Sequence, residues 1–366
     1  MADVLVADGG IGGLTAALSV ARQRHRVTVL ERAGAYQEVE AGIRLSSGVL
    51  DALDRLDIGD AVRERAASLD ELSLVEGNTG QRLVSLSTAT DECGHGAGSP
   101  VVIRRLDLFE ILLDACRRIP HIDLVTDSGV THYEQDGERV TAFLESGERR
   151  FADALIGAGG ACSTIGRQLA GRTPPDSRRT YYHAVVPAEH MPESLKSNAL
   201  TVWARPRWQF VVCPIDTGGY YDLSVNCDND AEDADPGTPV PAERVLSDCL
   251  EAAEDVRVLI GLGGDWKMWV TRDTTPVSQW ADGRVVLTGD ALHLPLPFIS
   301  HHTCHLAVED AVRLGELMDC DAADFPQVFR SYGVRRDALA TKARKRVLCA
   351  VSQEGMYDRI PCLHGM

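Results

Sequence analysis

Late in the chain, His301, His302 and His305 fall within five residues, shortly after Leu296, Pro297 and Phe298. An imidazole titrates near neutral pH, so His301 or His302 could act as a base toward an activated phenol. His301 and His305 are four apart, the spacing at which two ligands share one helix face. No HExxH pattern and no intervening carboxylate accompany them, so no metal site is expected. At the other end, Val6-Ala7-Asp8-Gly9-Gly10-Ile11-Gly12-Gly13 is rich in glycine where a strand should turn into a helix. Such a turn lets backbone N–H groups approach a pyrophosphate at the positive helix end. Glu31 follows Gly10 by 21 residues, where an acid accepts hydrogen bonds from a ribose.

The elements that must hold these groups can be read from periodicity. Val4 to Ala7 reads as a buried strand, Gly12 to Arg24 as a helix and Arg26 to Leu30 as a second strand, a βαβ opening. Residues 45 to 66 and Asp107 to Arg118 read as helices, and 68 to 88 as strands. Between 123 and 157, three strand-like runs are broken by Asp136-Gly137 and Ser146-Gly147, both turn dipeptides. Residues 180 to 230 alternate and carry aromatics, as an antiparallel sheet requires. Thr88 to Ser99 and Cys227 to Pro241 read as loops, Val285 to Leu287 as a buried strand, Cys304 to Leu317 as a helix, and 325 to 352 as a helical tail. Nucleotide-binding βα elements therefore recur at the start, middle and end, with sheet segments inserted between them.

Composition narrows the functional classes. The 366 residues include 37 Lys and Arg against 54 Asp and Glu, a formal charge of -17. Such a chain does not neutralise phosphates, so neither nucleic acid nor an anionic membrane is an expected partner. No apolar run approaches the roughly 20 residues that span a bilayer, and no signal peptide is visible. None of the ten cysteines forms a CxxC pair, which points to free thiols and a cytoplasmic location.

Four further segments give the sequence a family likeness: Glu38-Val39-Glu40-Ala41-Gly42-Ile43, Arg105-Leu106-Asp107-Leu108, Gly157-Ala158-Gly159-Gly160, and the stretch from Trp280 to His293, which reads WxxGRVxLxGDAxH. In order and spacing the chain resembles the FAD-dependent aromatic hydroxylases of the 4-hydroxybenzoate, salicylate and 3-hydroxybenzoate hydroxylase type over nearly its whole length. The resemblance implies an α/β fold. A Rossmann-like FAD-binding domain (1–70, 98–172 and 273–323) would interleave with an antiparallel-sheet substrate domain (71–97 and 173–272), followed by a C-terminal helical tail (324–366). It assigns Gly10, Ile11, Gly12 and Gly13 to the FAD pyrophosphate, and Glu31, with Arg32 beside it, to the adenosine end. Arg105 would reach the pyrophosphate or ribityl chain, Asp290 after Gly289 the ribityl hydroxyls, and Ile43 and Pro297 the flavin ring. It further implies NADH or NADPH as reductant, O2 as oxygen source and a flavin C4a-hydroperoxide that hydroxylates a small aromatic or phenolic ring, in a protein that is commonly a homodimer.

Within the middle sheet, Trp203, Trp208, Phe210, Tyr220, Tyr221, Tyr181, Tyr182 and His183 are divided between core packing and substrate contact, and Phe210, Cys213, Tyr221 and Leu296 are the substrate candidates. Several family positions are altered. Asp8 stands at the first glycine of the turn, Glu40 at a glycine, Gly159 at an aspartate, and Ile299 to His305 replace a glycine-bearing segment. At a positive φ, Asp8 would carry strain of about 1–3 kcal/mol. Two other readings stay open: a flavoprotein oxidase or dehydrogenase on the same scaffold, and a degenerate flavin-fold protein with weak or no catalysis.

Overall fold

A computed structural model describes residues 1–36, 41–88, 101–160, 163–170, 178–229, 234–272, 279–289 and 303–335. The opening unit is β1 (Asp3–Ala7), α1 (Ile11–Arg22) and β2 (Arg26–Leu30), as the periodicity predicts. Val4, Leu5, Val6 and Ala7 are all buried, the signature of a strand covered on both faces. The small residues of α1 let α8 (Thr303–Leu317) lie close against it: Ser19 Oγ donates to Val312 O at 2.9 Å, and a Cβ on Gly315 would stand 2.1 Å from that hydroxyl oxygen.

β1 and β2 belong to a six-stranded sheet ordered β19 (Ala281–Asp282), β20 (Val285–Leu287), β12 (Ala154–Gly157), β1, β2 and β8 (Ile122–Val125). All its neighbours pair parallel except β19 with β20. The chain leaves β1 toward β2 on one side while β12 flanks it on the other, so the order reverses at β1. Ligands of open α/β sheets bind outside the carboxyl ends of strands at such a switch point. Ala7, Leu30, Gly157 and Leu287 are register partners at those ends.

A second layer is an eight-stranded sheet ordered β17 (Thr238–Val240), β18 (Trp266–Arg272), β13 (Arg178–Pro187), β16 (Tyr220–Cys227), β15 (Trp208–Ile215), β14 (Ala199–Arg205), β5 (Glu71–Glu76) and β6 (Arg82–Ser87). Its pairs are antiparallel apart from β14 with β5. One face carries Tyr182, Phe210, Tyr221, Leu223 and Trp266, in a core shared with α6 (Ala242–Asp248) and α7 (Glu254–Leu262). The other face presents Cys213 and Ile215 to Leu69 and Val102, so it lies against a three-stranded antiparallel sheet made by residues 42–45, 101–104 and 67–68.

Two expectations need correction. Residues 45–66 form two helices, α2 (Ser47–Asp54) and α3 (Gly59–Arg65), broken where Asp57 adopts φ 58°. The segment from 122 to 157 holds five strands rather than three, with β9 (Val130–Gln135), β10 (Val140–Leu144) and β11 (Arg149–Ala152) in a small sheet of their own. Its turns fall at Gly137 and Gly147, whose φ values of 91° and 84° suit glycine alone. Helices α6 and α7 went unread because their short amphipathic runs follow an acidic, Pro-containing stretch. A helical stretch over 325–335 continues the chain, burying Phe325, Phe329 and Tyr332 in the parallel-sheet core.

Candidate cofactor and substrate sites

β1 ends in a turn whose backbone is tied on both sides: Asp8 N–H donates to Leu30 O at 2.9 Å, and Ala158 N–H to Ala7 O at 3.0 Å. Gly10 is the N-cap of α1 and offers no side-chain cap, so the first-turn amides stay available to an anion. Gly13 is required by contact, since a Cβ there would lie 2.0 Å from Asp8 O. A Cβ on Gly12 would meet Ala307 at 3.6 Å, so α8 begins beside the same turn. Ile11 packs into the core.

Glu31 follows β2 with one carboxylate oxygen accepting from Gly9 N–H at 2.9 Å and the other from Ala33 N–H at 2.8 Å. Those bonds fix the carboxylate at the mouth of the crevice, and its remaining lone pairs can accept from ribose hydroxyls. Arg32 is exposed. Tyr36, which sequence reading missed, lies across Gly9: a Cβ on Gly9 would come within 2.3 Å of its ring. Burial, and secondarily Glu31, push its hydroxyl well above the ordinary tyrosine range.

Asp8 adopts φ 95°, the strained conformation anticipated for a non-glycine residue there. Its Oδ1 accepts from Gly10 N–H at 2.9 Å. Its Oδ2 lies 3.5 Å from where a Cβ on Gly159 would stand. A carboxylate from the end of β1 thus fills space left by the missing side chain after β12.

Across the crevice, Thr288 N–H donates to Gly157 O at 3.0 Å and Gly289 turns at φ 63° against Ala307. Thr288 Oγ1 is fully buried and has no hydrogen-bond partner among the described residues. Arg105 opens α4 (Arg105–Arg117) half-buried, its backbone N–H bonded to Ala41 O at 2.7 Å, while Ile43 on β3 (Gly42–Leu45) is a core side chain. Uncapped helix amides, a turn that tolerates no Cβ, an anchored acid and a buried hydroxyl without a partner among the described residues fit an adenine dinucleotide such as FAD, with the Asp8 carboxylate opposing its phosphates.

The substrate candidates separate by strand parity. Phe210 and Tyr221 are buried beneath α6 and α7, on the sheet face opposite to Cys213. Trp203 and Trp208 share that core, and Tyr221 Oη bonds to the backbone of Ser197. Cys213 is on the inward face, directly opposite Asp222. Burial, and then Asp222, push its thiol far above the usual range, so it remains a neutral thiol. Asp222 and His183 on this face form a buried pair, Nε2 to Oδ1 at 2.6 Å, and Gly42 N–H donates to the same oxygen at 2.7 Å. Sequence reading named His183 without choosing it and missed Asp222. The signal was the run Asp222, Ser224, Asn226, polar at every second position of an otherwise apolar strand. Asp290, Leu296, Pro297, His301 and His302 lie outside the described residues.

Known proteins carry the same pattern. The sequence model of a family described as "FAD binding domain" matches residues 1–346. The chain is 35% identical over 323 residues to 3-hydroxybenzoate 6-hydroxylase 1 of Aquipseudomonas alcaligenes, covering 87% of this chain and 82% of that one. It is 34% identical over 342 residues to the 3-hydroxybenzoate 6-hydroxylase of Polaromonas naphthalenivorans (strain CJ2), covering 93% and 84%. Among solved structures, Klebsiella pneumoniae HpxO complexed with FAD and uric acid superposes with a TM-score of 0.80 at 23% identity, over 99% of this chain and 92% of that one, a likeness of fold. The match over nearly the full length, on a crevice built for a dinucleotide, shows that this chain belongs to the FAD-dependent aromatic hydroxylases, which are flavoprotein monooxygenases.

Proposed function

We propose that the substrate is a single-ring phenolic acid of the 3-hydroxybenzoate type, bound between the parallel-sheet crevice and the inward face of the eight-stranded sheet. The observation that carries this reading is the buried polar strip of His183, Asp222 and Ser224 on the face that also carries the apolar cluster of Cys213, Ile215, Val185 and Leu200. Pockets for small ligands are mostly apolar, with a few fixed polar groups that set orientation. The relatives named for 3-hydroxybenzoate support the same class.

Bound FAD supplies the chemistry of hydride acceptance from NADH or NADPH and of oxygen activation, and the chain supplies the rest. The first turn of α1 holds the pyrophosphate, and Glu31 the ribose. In this reading Arg105, Gly289 and Asp290 steady the ribityl chain, and Ile43 and Pro297 border the flavin. Leu296 and Cys213 line the ring site, with His301 and His302 beside it. Apolar walls from Leu72, Val185 and Leu200 keep water from the reacting atoms. The FAD-binding segments are 1–70, 98–172 and 273–323, the substrate-binding segments 71–97 and 173–272, and the tail 324–366. Among the described residues no helix is long and apolar enough to cross a membrane. A cytoplasmic homodimer completes the proposal.

The test is product analysis. Protein loaded with FAD is given NADH or NADPH and a panel of phenolic acids under isotopically labelled O2. The expected result is one labelled oxygen in a dihydroxybenzoate product. NAD(P)H oxidation yielding only H2O2 with every phenol would favour an oxidase and overturn the proposal.

A further inference from the structure

The inward face of the eight-stranded sheet holds an acid–base pair whose geometry is one-sided. His183 on β13 is directly opposite Ser224 on β16, and Asp222 is two residues along, so the imidazole reaches diagonally to the carboxylate. His183 is 4% exposed, and Asp222 and Ser224 are fully buried. A carboxylate so deeply placed is stable only when paired and hydrogen-bonded, and Asp222 Oδ1 accepts from both His183 Nε2 and Gly42 N–H. With Nε2–H committed to Asp222, Nδ1 carries the lone pair. Among the described residues Nδ1 makes no hydrogen bond. Neither does Ser224 Oγ, although a buried hydroxyl without a partner costs about 1–3 kcal/mol. Two rings in mutual contact border the imidazole: Tyr181 stacks at 6.4 Å and 16° to it, and Trp269 meets it edge-on at 6.4 Å.

We propose that His183, oriented by Asp222, is the base that takes the phenolic proton of the substrate, and that Ser224 Oγ hydrogen-bonds the oxygen left behind. The inference rests on the reading that the substrate is a phenol. The phenol O–H bond breaks and an Nδ1–H bond forms. The imidazolium stays paired with Asp222, and no electrons are transferred. The phenolate then accepts from Nδ1–H and from the Ser224 hydroxyl, and its ring is more electron-rich at the carbons ortho and para to the oxygen. After hydroxylation the proton returns to the product oxygen or leaves with it to solvent. Asp222 acts as a positioning residue, the role a carboxylate plays toward histidine in hydrolytic triads. The charged and titratable groups facing His183 are Asp222 on β16, Lys267 on β18 directly opposite it, Tyr181 on its own strand, and Cys213 beyond Asp222 on β15.

The alternative is that the pair merely bolts β16 to β3 through Gly42, and Ser224→Ala separates the two readings. Removing an unpartnered buried hydroxyl leaves folding stability equal or higher. As a ligand group for a phenolate it is worth about 10- to 100-fold in KM, the scale of a hydrogen bond to a charged partner. His183→Gln keeps the size and loses the base, with kcat/KM expected to fall about 100- to 10,000-fold. The acid limb of the wild-type kcat/KM–pH profile should be absent from that of His183→Gln. A second readout needs no turnover: 3-hydroxybenzoate or 4-nitrophenol titrated into oxidised holoenzyme should show the phenolate absorption with wild type and Ser224→Ala, and the phenol absorption with His183→Gln and Asp222→Asn. Phenolate binding and an unchanged acid limb in His183→Gln would overturn the inference while leaving the phenolic-substrate reading intact. A Ser224→Ala variant that melts lower with unchanged KM would overturn it equally. A wild type that binds and oxidises no phenol defeats the broader reading, and this one with it.

Discussion

Asp8→Gly and Gly159→Asp, singly and together, probe the most unusual feature of the cofactor crevice. Glycine at position 8 relieves about 1–3 kcal/mol of strain at φ 95°. It also forfeits the bond from Gly10 N–H, worth about 0.5–1.5 kcal/mol, and adds about 0.5–1 kcal/mol of backbone entropy to lose on folding. These nearly cancel, so the melting temperature of the apoprotein should move by only a few degrees. FAD affinity should not cancel. Asp8→Gly removes a negative charge from the phosphate site and frees the Gly10 amide. Gly159→Asp alone sets a second carboxylate against the first. With a Cβ 3.5 Å from Asp8 Oδ2, the two charges stand about 5 Å apart, a repulsion of about 1.7–3.3 kcal/mol at an effective dielectric of about 20–40. Half-exposure reduces this to about 1–2 kcal/mol. A Cβ at 159 also meets Ser163 at 3.3–3.4 Å, a crowding common to both backgrounds. Flavin-fluorescence titrations and apoprotein melts on the four proteins give the cycle. Asp8→Gly should bind FAD about 5- to 30-fold tighter, and Gly159→Asp should be costly only where Asp8 remains. Weaker FAD binding by Asp8→Gly, or a Gly159→Asp penalty equal in both backgrounds within about 0.5 kcal/mol, would refute the idea that one carboxylate has displaced the other.

Gly13→Ala forces a Cβ to within 2.0 Å of Asp8 O; thermal melts should show a loss of about 1–3 kcal/mol, with FAD no longer retained on gel filtration. Cys116, Cys213, Cys227 and Cys249 are buried. Burial pushes the Cys116 thiol up to about 12, and the Cys227 thiol is raised far above its usual range by its neighbour Cys249 and by burial. Site-resolved mass spectrometry after alkylation of native protein at pH 8 should leave all four unlabelled. The Arg63 guanidinium holds the Asp54 carboxyl below its usual range through two 2.6 Å bonds. Because the folded value is lowered, this stabilisation is complete above about pH 4 and is lost as pH falls through the lowered value. Melts of Asp54→Asn should show a deficit below about 1 kcal/mol at pH 7, given the exposure of the pair, and the deficit should vanish in acid.

The cofactor crevice was legible because its constraints are local. A strand, a glycine turn, a helix, a second strand and an acid fall at fixed offsets, and Gly10, Gly13 and Glu31 stand where those offsets require. Asp8 was legible too, since a non-glycine at a glycine position announces strain before any coordinates. The substrate face was not. Whether Phe210 or Cys213 faces the crevice turns on which side of the sheet α6 and α7 cover, a long-range fact that alternation alone leaves undecided. The aromatic residues drew attention as ring contacts, yet five of them, Tyr182, Trp203, Trp208, Phe210 and Tyr221, fill the helix-covered core. Arg284 shows the same limit within the most specific motif: its guanidinium is buried and bonds the carbonyls of Gly137, Asp153 and Ala322, stitching three distant segments together rather than touching the crevice.

The most direct measurement on the central claim is the absorption spectrum of the protein purified after equilibration with FAD, followed by NAD(P)H consumption on adding a phenolic acid. A retained flavin spectrum, and oxidation accelerated by the phenol with a matching yield of hydroxylated ring, is the predicted result. A colourless protein, with both wild type and Asp8→Gly failing to retain FAD, would contradict it.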